Sequence, residues 1–305
     1  MKHLLKLRDV APGELVEILG LADQLKYEHK HGIAHPHLAG KTLGMIFQKA
    51  STRTRVSFEV GMYQLGGSAL FLSSADLQIG RGEPVQDTAR VLSRYLDCIM
   101  IRTFGQKEVD DLALHGSVPV INGLTDHAHP CQALADLMTI REYKGSLAGL
   151  KMTYIGDGNN VANSLIAGAA LSGIDMAVAC PAGYEPDGEV VAWARERGNV
   201  SITDKPLEAA ENADVLYTDV WSSMGMESET EKRMRDFAGF QVNNEIMAAA
   251  KSDAIVLHCL PAHRGEEITD EIFEFHAGEI FDQAENRLHA QKAVLVKLIV
   301  KRTHA

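Results

Sequence analysis

Apolar and polar positions switch between two periods along almost the whole chain. Short β-branched or apolar runs occupy residues 42–47, 69–72, 98–101 and 118–121, and a second set follows at 152–155, 176–179, 215–218 and 255–258. Segments with helical periodicity fall between them, among them 51–65, 85–95, 131–143, 160–171, 188–197 and 283–300. Strands that alternate with helices are joined by crossovers, so the pattern predicts an α/β protein built of two doubly wound parallel-sheet domains. The stretch Lys144-Gly145-Ser146-Leu147-Ala148-Gly149 has the turn residues expected at their boundary. The last helix is predicted to hold Arg287 near its start, followed by an apolar face of Val294, Leu295, Leu298 and Ile299. Residues 227–235 (ESETEKRMR) are charged and lack a clear apolar face, which predicts a mobile surface loop or a short exposed helix.

Composition narrows the function classes. The chain has 305 residues, 46% hydrophobic and 23% charged, enough for two domains that each bury a core. With 41 acids against 30 bases the formal net charge is −11, which argues against nonspecific nucleic-acid binding and against docking on anionic lipid. In such an acidic chain, arginines placed in turns become informative. No run approaches the roughly 18 apolar residues that a membrane helix needs, since the most apolar stretch, 165–180, is broken by Asp175. The opening MKHLLKLRDV runs straight into a helix-like pattern without the features of a leader. Four cysteines far apart in sequence, with no C-x-x-C pair, suit reduced thiols and a cytoplasmic place better than a disulfide framework.

Ligands of open α/β sheets bind outside the carboxyl ends of strands, so polar clusters after the predicted strands are where chemistry is expected. The 42–47 run leads into Gln48-Lys49-Ala50-Ser51-Thr52-Arg53-Thr54-Arg55 and then a helical pattern. Ser51 is a good N-cap, and a helix start offers free N–H groups and partial positive charge; hydroxyls and arginines added there make an anion site. The plainer alternative is a capped helix with solvated arginines, and Arg55 suits an ion pair with Glu59. The 98–101 run ends in Arg102-Thr103, and the 118–121 run is followed by Asn122 and then His129-Pro130-Cys131-Gln132. His129 with Cys131, or His258 with Cys259 and His263, suggests zinc only superficially, because the spacings match no standard four-ligand pattern. No metal and no cofactor are expected.

Taken together, Ser51-Thr52-Arg53-Thr54-Arg55, Arg102-Thr103 and His129-Pro130-Cys131-Gln132 resemble the carbamoyl-phosphate elements of the aspartate and ornithine carbamoyltransferase family, in order and at the family's spacing. The resemblance implies that Ser51, Thr52, Arg53, Thr54 and Arg102 hold the phosphate. It has His129, Thr54 and Arg102 polarise the carbonyl oxygen and Gln132 hold the carbamoyl nitrogen, with Pro130 and Cys131 in the same motif. It places carbamoyl-phosphate binding in residues 1–144, completed by a C-terminal helix 285–305, ornithine binding in 145–284, and the active site in the cleft between the domains.

The second substrate is read from segments in which family members differ. Gly156-Asp157-Gly158-Asn159-Asn160-Val161 hints at a dinucleotide loop, but its third glycine is missing and no acid ends the next strand. By resemblance Asn160 meets an amino-acid carboxylate instead. Asp219-Val220-Trp221-Ser222-Ser223-Met224-Gly225 is similar to a loop of the ornithine branch, assigning Asp219 and Ser223 to the α-ammonium and the Met224 backbone to the carboxylate; a capped strand-end turn is the plainer alternative. His258-Cys259-Leu260-Pro261 resembles that branch's H-C-L-P element, with the Cys259 and Leu260 carbonyls accepting from the carbamoyl nitrogen and the Cys259 side chain near the attacking amine. Glu285-Asn286-Arg287 resembles the last anchor, with Arg287 reaching carbamoyl phosphate. No lysine lies between Ser73 and Pro84, which disfavours the aspartate branch; by resemblance Gln78 in that loop crosses a subunit boundary to contact carbamoyl phosphate, implying a homotrimer.

The implied reaction carbamoylates the δ-amine of L-ornithine to give L-citrulline and phosphate. A chain of this length without extensions leans toward arginine biosynthesis. Ordered binding is expected, carbamoyl phosphate first, with residues 222–235 as a lid and the departing phosphate taking the proton. Two other readings stand beside it: a sibling enzyme for putrescine or an acylated ornithine, and a nonenzymatic amino-acid binder on the same fold.

Overall fold

The computed structural model describes residues 1–73, 77, 82–222 and 229–300. In chain order it comprises α1 (Pro12–Lys30), β1 (Thr42–Phe47), α2 (Thr52–Gln64), β2 (Ser68–Ser73), α3 (Val85–Leu92), β3 (Cys98–Arg102), α4 (Gln106–His115), β4 (Val120–Leu124) and α5 (Pro130–Lys144). There follow β5 (Lys151–Ile155), α6 (Asn160–Ser172), β6 (Asp175–Ala179), α7 (Gly188–Arg195), β7 (Val200–Thr203), α8 (Pro206–Ala210) and β8 (Val215–Thr218). The chain ends with α9 (Thr230–Asp236), α10 (Asn244–Ala249), β9 (Ile255–His258), α11 (Asp270–Phe275) and α12 (Ala277–Val300). It divides into two compact units, one of residues 1–135 with 287–305 and one of residues 136–286.

The first unit carries a four-stranded sheet in the order β2-β1-β3-β4 and the second a five-stranded sheet in the order β7-β6-β5-β8-β9; every named pair is parallel. Parallel strands are covered on both faces, so they read as unbroken apolar runs, and β3 and β8 are buried at every position. Ile46, Ile99, Ile101, Leu112 and Val120 share one core cluster; Ile155, Leu216, Phe237, Val256 and Ile280 share another. In the first sheet the strand order reverses between β1 and β3, and in the second between β5 and β8. These are the two switch points where a crevice opens above an open α/β sheet. No helix of the described residues is long and apolar enough to cross a membrane.

Three expectations need correction. Asn122 does not follow a strand but lies inside β4, where its amide donates to the Leu5 carbonyl at 2.9 Å, because residues 4–5 extend along that strand. The last helix begins at Ala277, so Arg287 sits well inside it; His276 and Glu279 pair at its start, a polar opening that hid the first turns. The charged segment before Phe237 forms α9, and it is not simply exposed: Arg233 is buried, which supplies the inward face that an apolar count missed. Strand β7 was not anticipated, since its four residues are only partly covered.

α12 also buries an amine. Lys292 is fully enclosed, its Nζ lying 2.9 Å from Gln64 Oε1, 3.1 Å from His35 Nε2 and 3.5 Å from the Leu25 carbonyl. Its stem passes Gly61, where a Cβ would come within 3.3 Å. Burial lowers the ammonium to about 8, since desolvation penalises the charged form.

Candidate active site

In the first unit the switch point is lined by three strand ends. β1 leads through residues 48–50 to Ser51, whose extended backbone and side chain cap α2: Oγ accepts from the Thr54 N–H at 3.2 Å and donates to Thr54 Oγ1 at 3.1 Å. Thr52 and Arg53 are exposed in the first turn and Thr54 is buried. Arg55 turns away, bonding Glu59 at 3.0 Å and lying over the Phe71 ring. Arg102 ends β3 next door, with its carbonyl accepting from the Gln48 N–H at 2.9 Å. Its register against β4 shifts: Ile101 pairs with Asn122 but Arg102 with Leu124, so Gly123 is the extra residue. A Cβ there would meet Met100 Sδ at 2.6 Å. Such bulges bend the strand that carries the extra residue, here β4, opposite the Arg102 end of β3.

His129 stands at the head of α5, where its carbonyl accepts from the Gln132 N–H at 3.1 Å. Pro130 opens the helix, where a missing N–H costs nothing. Cys131 is turned inward, 3.5 Å from the Asn122 carbonyl, and burial pushes its thiol up to about 12, so its side chain is not part of the anion site. Arg287 comes from α12: Nη1 donates to Gln132 Oε1 at 2.6 Å and Nη2 to Thr54 Oγ1 at 3.3 Å. The guanidinium is locked by Gln291, one turn on, whose amide oxygen, turned toward it, accepts at 3.0 Å while the amide nitrogen reaches Ser57 Oγ at 2.6 Å. His129 is driven well below the ordinary imidazole range, first by burial and then by Arg287, Arg102 and Arg53. A neutral imidazole among three guanidiniums donates one N–H and carries no proton to give away. Lys49, absent from the expected set, is buried, pairs with Asp126 and lies 4.3 Å from the Phe104 ring centroid, which ties together the chain after β1, β3 and β4.

The second unit repeats the plan at its own switch point. After β5, Asn159 caps α6 by accepting from the Val161 and Ala162 N–H groups at 2.9 and 3.2 Å, and Asn160 is half-buried at the first helical position. The Asn159 amide also donates to Asp219 Oδ2 at 2.9 Å. Asp219, buried just past β8, receives the Cys259 thiol on Oδ1 at 3.0 Å, so Asn159, Asp219 and Cys259 are brought together, with Asn160 the next residue after Asn159. Leu260 follows with φ +59°, a left-handed conformation rare for a bulky residue. Gln78, Ser223 and Met224 lie outside the described residues. Arg233 was missed by sequence reasoning: its Nη1 donates to Asp157 Oδ2 and to the Trp221 carbonyl, each at 2.8 Å. Burial still raises the Asp157 carboxyl, with Arg233 pulling the other way. Donor atoms of Asp219, His258 and Cys259 lie within 4.8 Å of one another, but both His258 ring nitrogens are engaged, by Glu267 and the Leu260 N–H.

The glycines after β5 serve packing. A Cβ at Gly158 would lie 2.3 Å from the Pro186 nitrogen and 2.5 Å from the Tyr184 oxygen, both backbone. Gly158→Ala is therefore expected to cost on the order of 3 kcal/mol, because neither backbone can yield like a side chain. Urea denaturation checks this, and an unchanged midpoint at unchanged slope counts against it.

Residues 2–142 match the family model for the aspartate/ornithine carbamoyltransferase carbamoyl-P binding domain, and residues 148–298 match the Asp/Orn binding domain of the same family. The chain belongs to the aspartate/ornithine carbamoyltransferase family. Among its relatives, an ornithine carbamoyltransferase of Pelobacter propionicus is 58% identical over 300 residues, 98% of each chain. The crystallographic family members include the ornithine carbamoyltransferase from Pyrococcus furiosus, at 53% identity and TM-score 0.94, covering 98% of this chain and 97% of that one. They also include an anabolic ornithine carbamoyltransferase from Campylobacter jejuni, at 42% identity and TM-score 0.92, covering 98% and 99%. The carbamoyl-P binding model covers the four-stranded sheet and the Asp/Orn binding model the five-stranded sheet.

Proposed function

We propose that this chain transfers the carbamoyl group of carbamoyl phosphate to the δ-amine of L-ornithine, giving L-citrulline and phosphate. The observation that carries the reading is the grouping of Ser51, Thr54, Arg102, His129, Gln132 and Arg287 around one helix start, paired with Asp219 and Cys259 in the other unit. We assign carbamoyl phosphate to the first unit and ornithine to the second. Ser51, Thr52, Arg53, Thr54 and Arg102 hold the phosphate, whose charge and geometry suit guanidinium forks and helix N–H groups. Attack on the carbonyl carbon builds negative charge on its oxygen; the N–H of neutral His129, Thr54 and Arg102 stabilise that charge as it develops. Gln132, already fixed by Arg287, and the carbonyls of Cys259 and Leu260 orient the carbamoyl nitrogen. Pro130 and Cys131 contribute backbone. Asn160 and the Met224 backbone take the ornithine carboxylate, and Asp219 and Ser223 its α-ammonium.

The attacking amine must be neutral. With a pKa of about 10.4, about one amine in a few thousand is neutral at pH 7, so the rate is expected to rise toward alkaline pH. His129 is neutral throughout that range and is no base; the leaving phosphate accepts the proton. The nearby Asp219 is matched to the α-ammonium, which acylated ornithine lacks, and the carboxylate contact assigned to Asn160 has no partner in putrescine, which is ornithine without its carboxylate; together these favour free ornithine. We further propose a homotrimer in which Gln78 is donated across subunits. In support, β2 is an edge strand whose Leu70 and Phe71 are exposed, with Val56 and Tyr63 exposed on α2, an apolar surface that a monomer leaves in water and a neighbouring subunit would cover. A biosynthetic role in making arginine, in the cytoplasm, accords with the four free thiols and the anabolic relative.

The test is product formation from carbamoyl phosphate with ornithine, putrescine and aspartate in parallel. Ornithine is expected to be used at least about 10²-fold better than the others, and Arg53→Ala to lower kcat/KM by about 10²-fold, as loss of one charged phosphate contact does. Equal use of putrescine would assign the chain to a sibling activity.

A further inference from the structure

The chain after β9 holds its shape through a buried dyad. Glu267 is fully enclosed, and its Oε1 accepts from His258 Nε2 at 2.9 Å and from the His263 N–H at 2.6 Å. On the other side of the ring, His258 Nδ1 accepts from the Leu260 N–H at 2.8 Å. A backbone N–H can only donate, so Nδ1 accepts, the ring proton lies on Nε2, and one neutral tautomer satisfies both contacts. The turn that presents Glu267 is itself closed: the Gly265 N–H bonds the Ile268 carbonyl at 2.8 Å and the Glu266 N–H the His263 carbonyl at 2.9 Å. It is moored to residues 241–242, where Gln241 Nε2 donates to the Gly265 and Glu266 carbonyls and the Val242 N–H to the Glu267 carbonyl. A line of hydrogen bonds thus runs from this mooring through Glu267 and His258 to Leu260, the residue whose left-handed backbone has no glycine to ease it.

We infer that His258 and Glu267 are positioning residues for the transfer reaction: they hold Leu260 in its left-handed conformation, which aims the Cys259 and Leu260 carbonyls at the carbamoyl nitrogen and keeps the Cys259 thiol on Asp219. The inference rests on the functional reading above and adds two residues to it that touch neither substrate. Their effect is on geometry, and a shift of about 1 Å in a positioning group can cost about 10²-fold in rate. The acceptor oxygen of Glu267 sets that distance; its charge does not.

Steady-state kinetics on the full chain test this with Glu267→Asp, Glu267→Gln and the wild type, each checked by thermal unfolding. Glu267→Asp draws the acceptor back by one methylene and is expected to lower kcat at least about 30-fold, with the KM for carbamoyl phosphate within about threefold of wild type. Glu267→Gln keeps an acceptor oxygen in place and is expected to retain at least about a third of kcat. If Glu267→Asp does not fold, His258→Gln decides: its amide nitrogen takes the Nε2 place and still donates to Glu267, but no acceptor remains at the Nδ1 position that the Leu260 N–H meets, and the same kcat loss is expected. Folded Glu267→Asp, or His258→Gln in its place, with kcat within about threefold of wild type overturns the positioning role, as does Glu267→Gln falling as far as Glu267→Asp. A wild-type chain that makes no product from ornithine overturns the functional reading and the positioning role with it; an active wild type with unmoved variants overturns the positioning role alone.

Discussion

Arg102→Ala is expected to lower kcat by about 10³- to 10⁴-fold in a chain that still folds. The backbone at this position is held independently of the side chain: it pairs with Phe47, its carbonyl bonds the Gln48 N–H, and the bulge at Gly123 stays in place. What disappears is a buried guanidinium that the proposed assignment aims at two developing charges, the carbonyl oxygen and the departing phosphate. An arginine in that role in phosphoryl transfer is worth about 10³- to 10⁵-fold, and a single donor to a developing oxyanion about 10²- to 10³-fold. Arg102 also helps hold His129 neutral, though burial does most of that. The variant should therefore keep the wild-type trend of faster turnover at higher pH while losing rate at every pH. Arg102→Lys should recover part of the loss, since a point charge lacks the fork that matches phosphate. Turnover of folded Arg102→Ala within about tenfold of wild type would remove Arg102 from the chemistry.

Asp219→Asn is expected to reduce kcat/KM for ornithine by about 10³-fold, mostly through KM, and to leave the KM for carbamoyl phosphate nearly unchanged. Asn is close in size and keeps an oxygen for the Asn159 amide or the Cys259 thiol, so the fold of the second unit should persist. Under the proposed assignment the change removes the charge that a desolvated α-ammonium needs, and deleting one partner of such a pair costs about 2–5 kcal/mol, where each 1.4 kcal/mol is about tenfold. An ornithine acylated on its α-amine has no α-ammonium, so any slow turnover of it should be untouched. Titrating both amines against the variant gives the comparison; parallel losses for ornithine and the acylated ornithine would place Asp219 in structure alone.

The strands and the anion cluster were legible because both follow from short-range rules. Apolar runs such as Thr42–Phe47 announce a strand buried on two faces, and Ser51 at its exit announces a helix start. The features that escaped depend on partners distant in sequence. Asn122 is drawn into β4 by residues 4–5, and nothing local says so. Arg233 reads as a surface charge until Asp157 and the Trp221 carbonyl close around it. Gln291, one turn beyond Arg287, passed unnoticed, since only the approach of α2 gives its amide a second partner in Ser57. His258 was legible only as part of the H-C-L-P element; its ring partners, Glu267 nine residues on and the Leu260 N–H, are set by the turn that follows β9.

Lys292 gives the first unit an acid–base response of its own. Its amine titrates near 8 in the fold and near 10.5 when unfolded. Below 8 both states are charged and the fold bears the full cost of enclosing an ammonium; above it the folded form sheds the proton first, so stability rises with pH until the unfolded chain follows. Solutions basic enough to free ornithine's nucleophile are thus those in which this enclosed amine weighs least on the scaffold, and brisk catalysis there need not be bought with a looser protein.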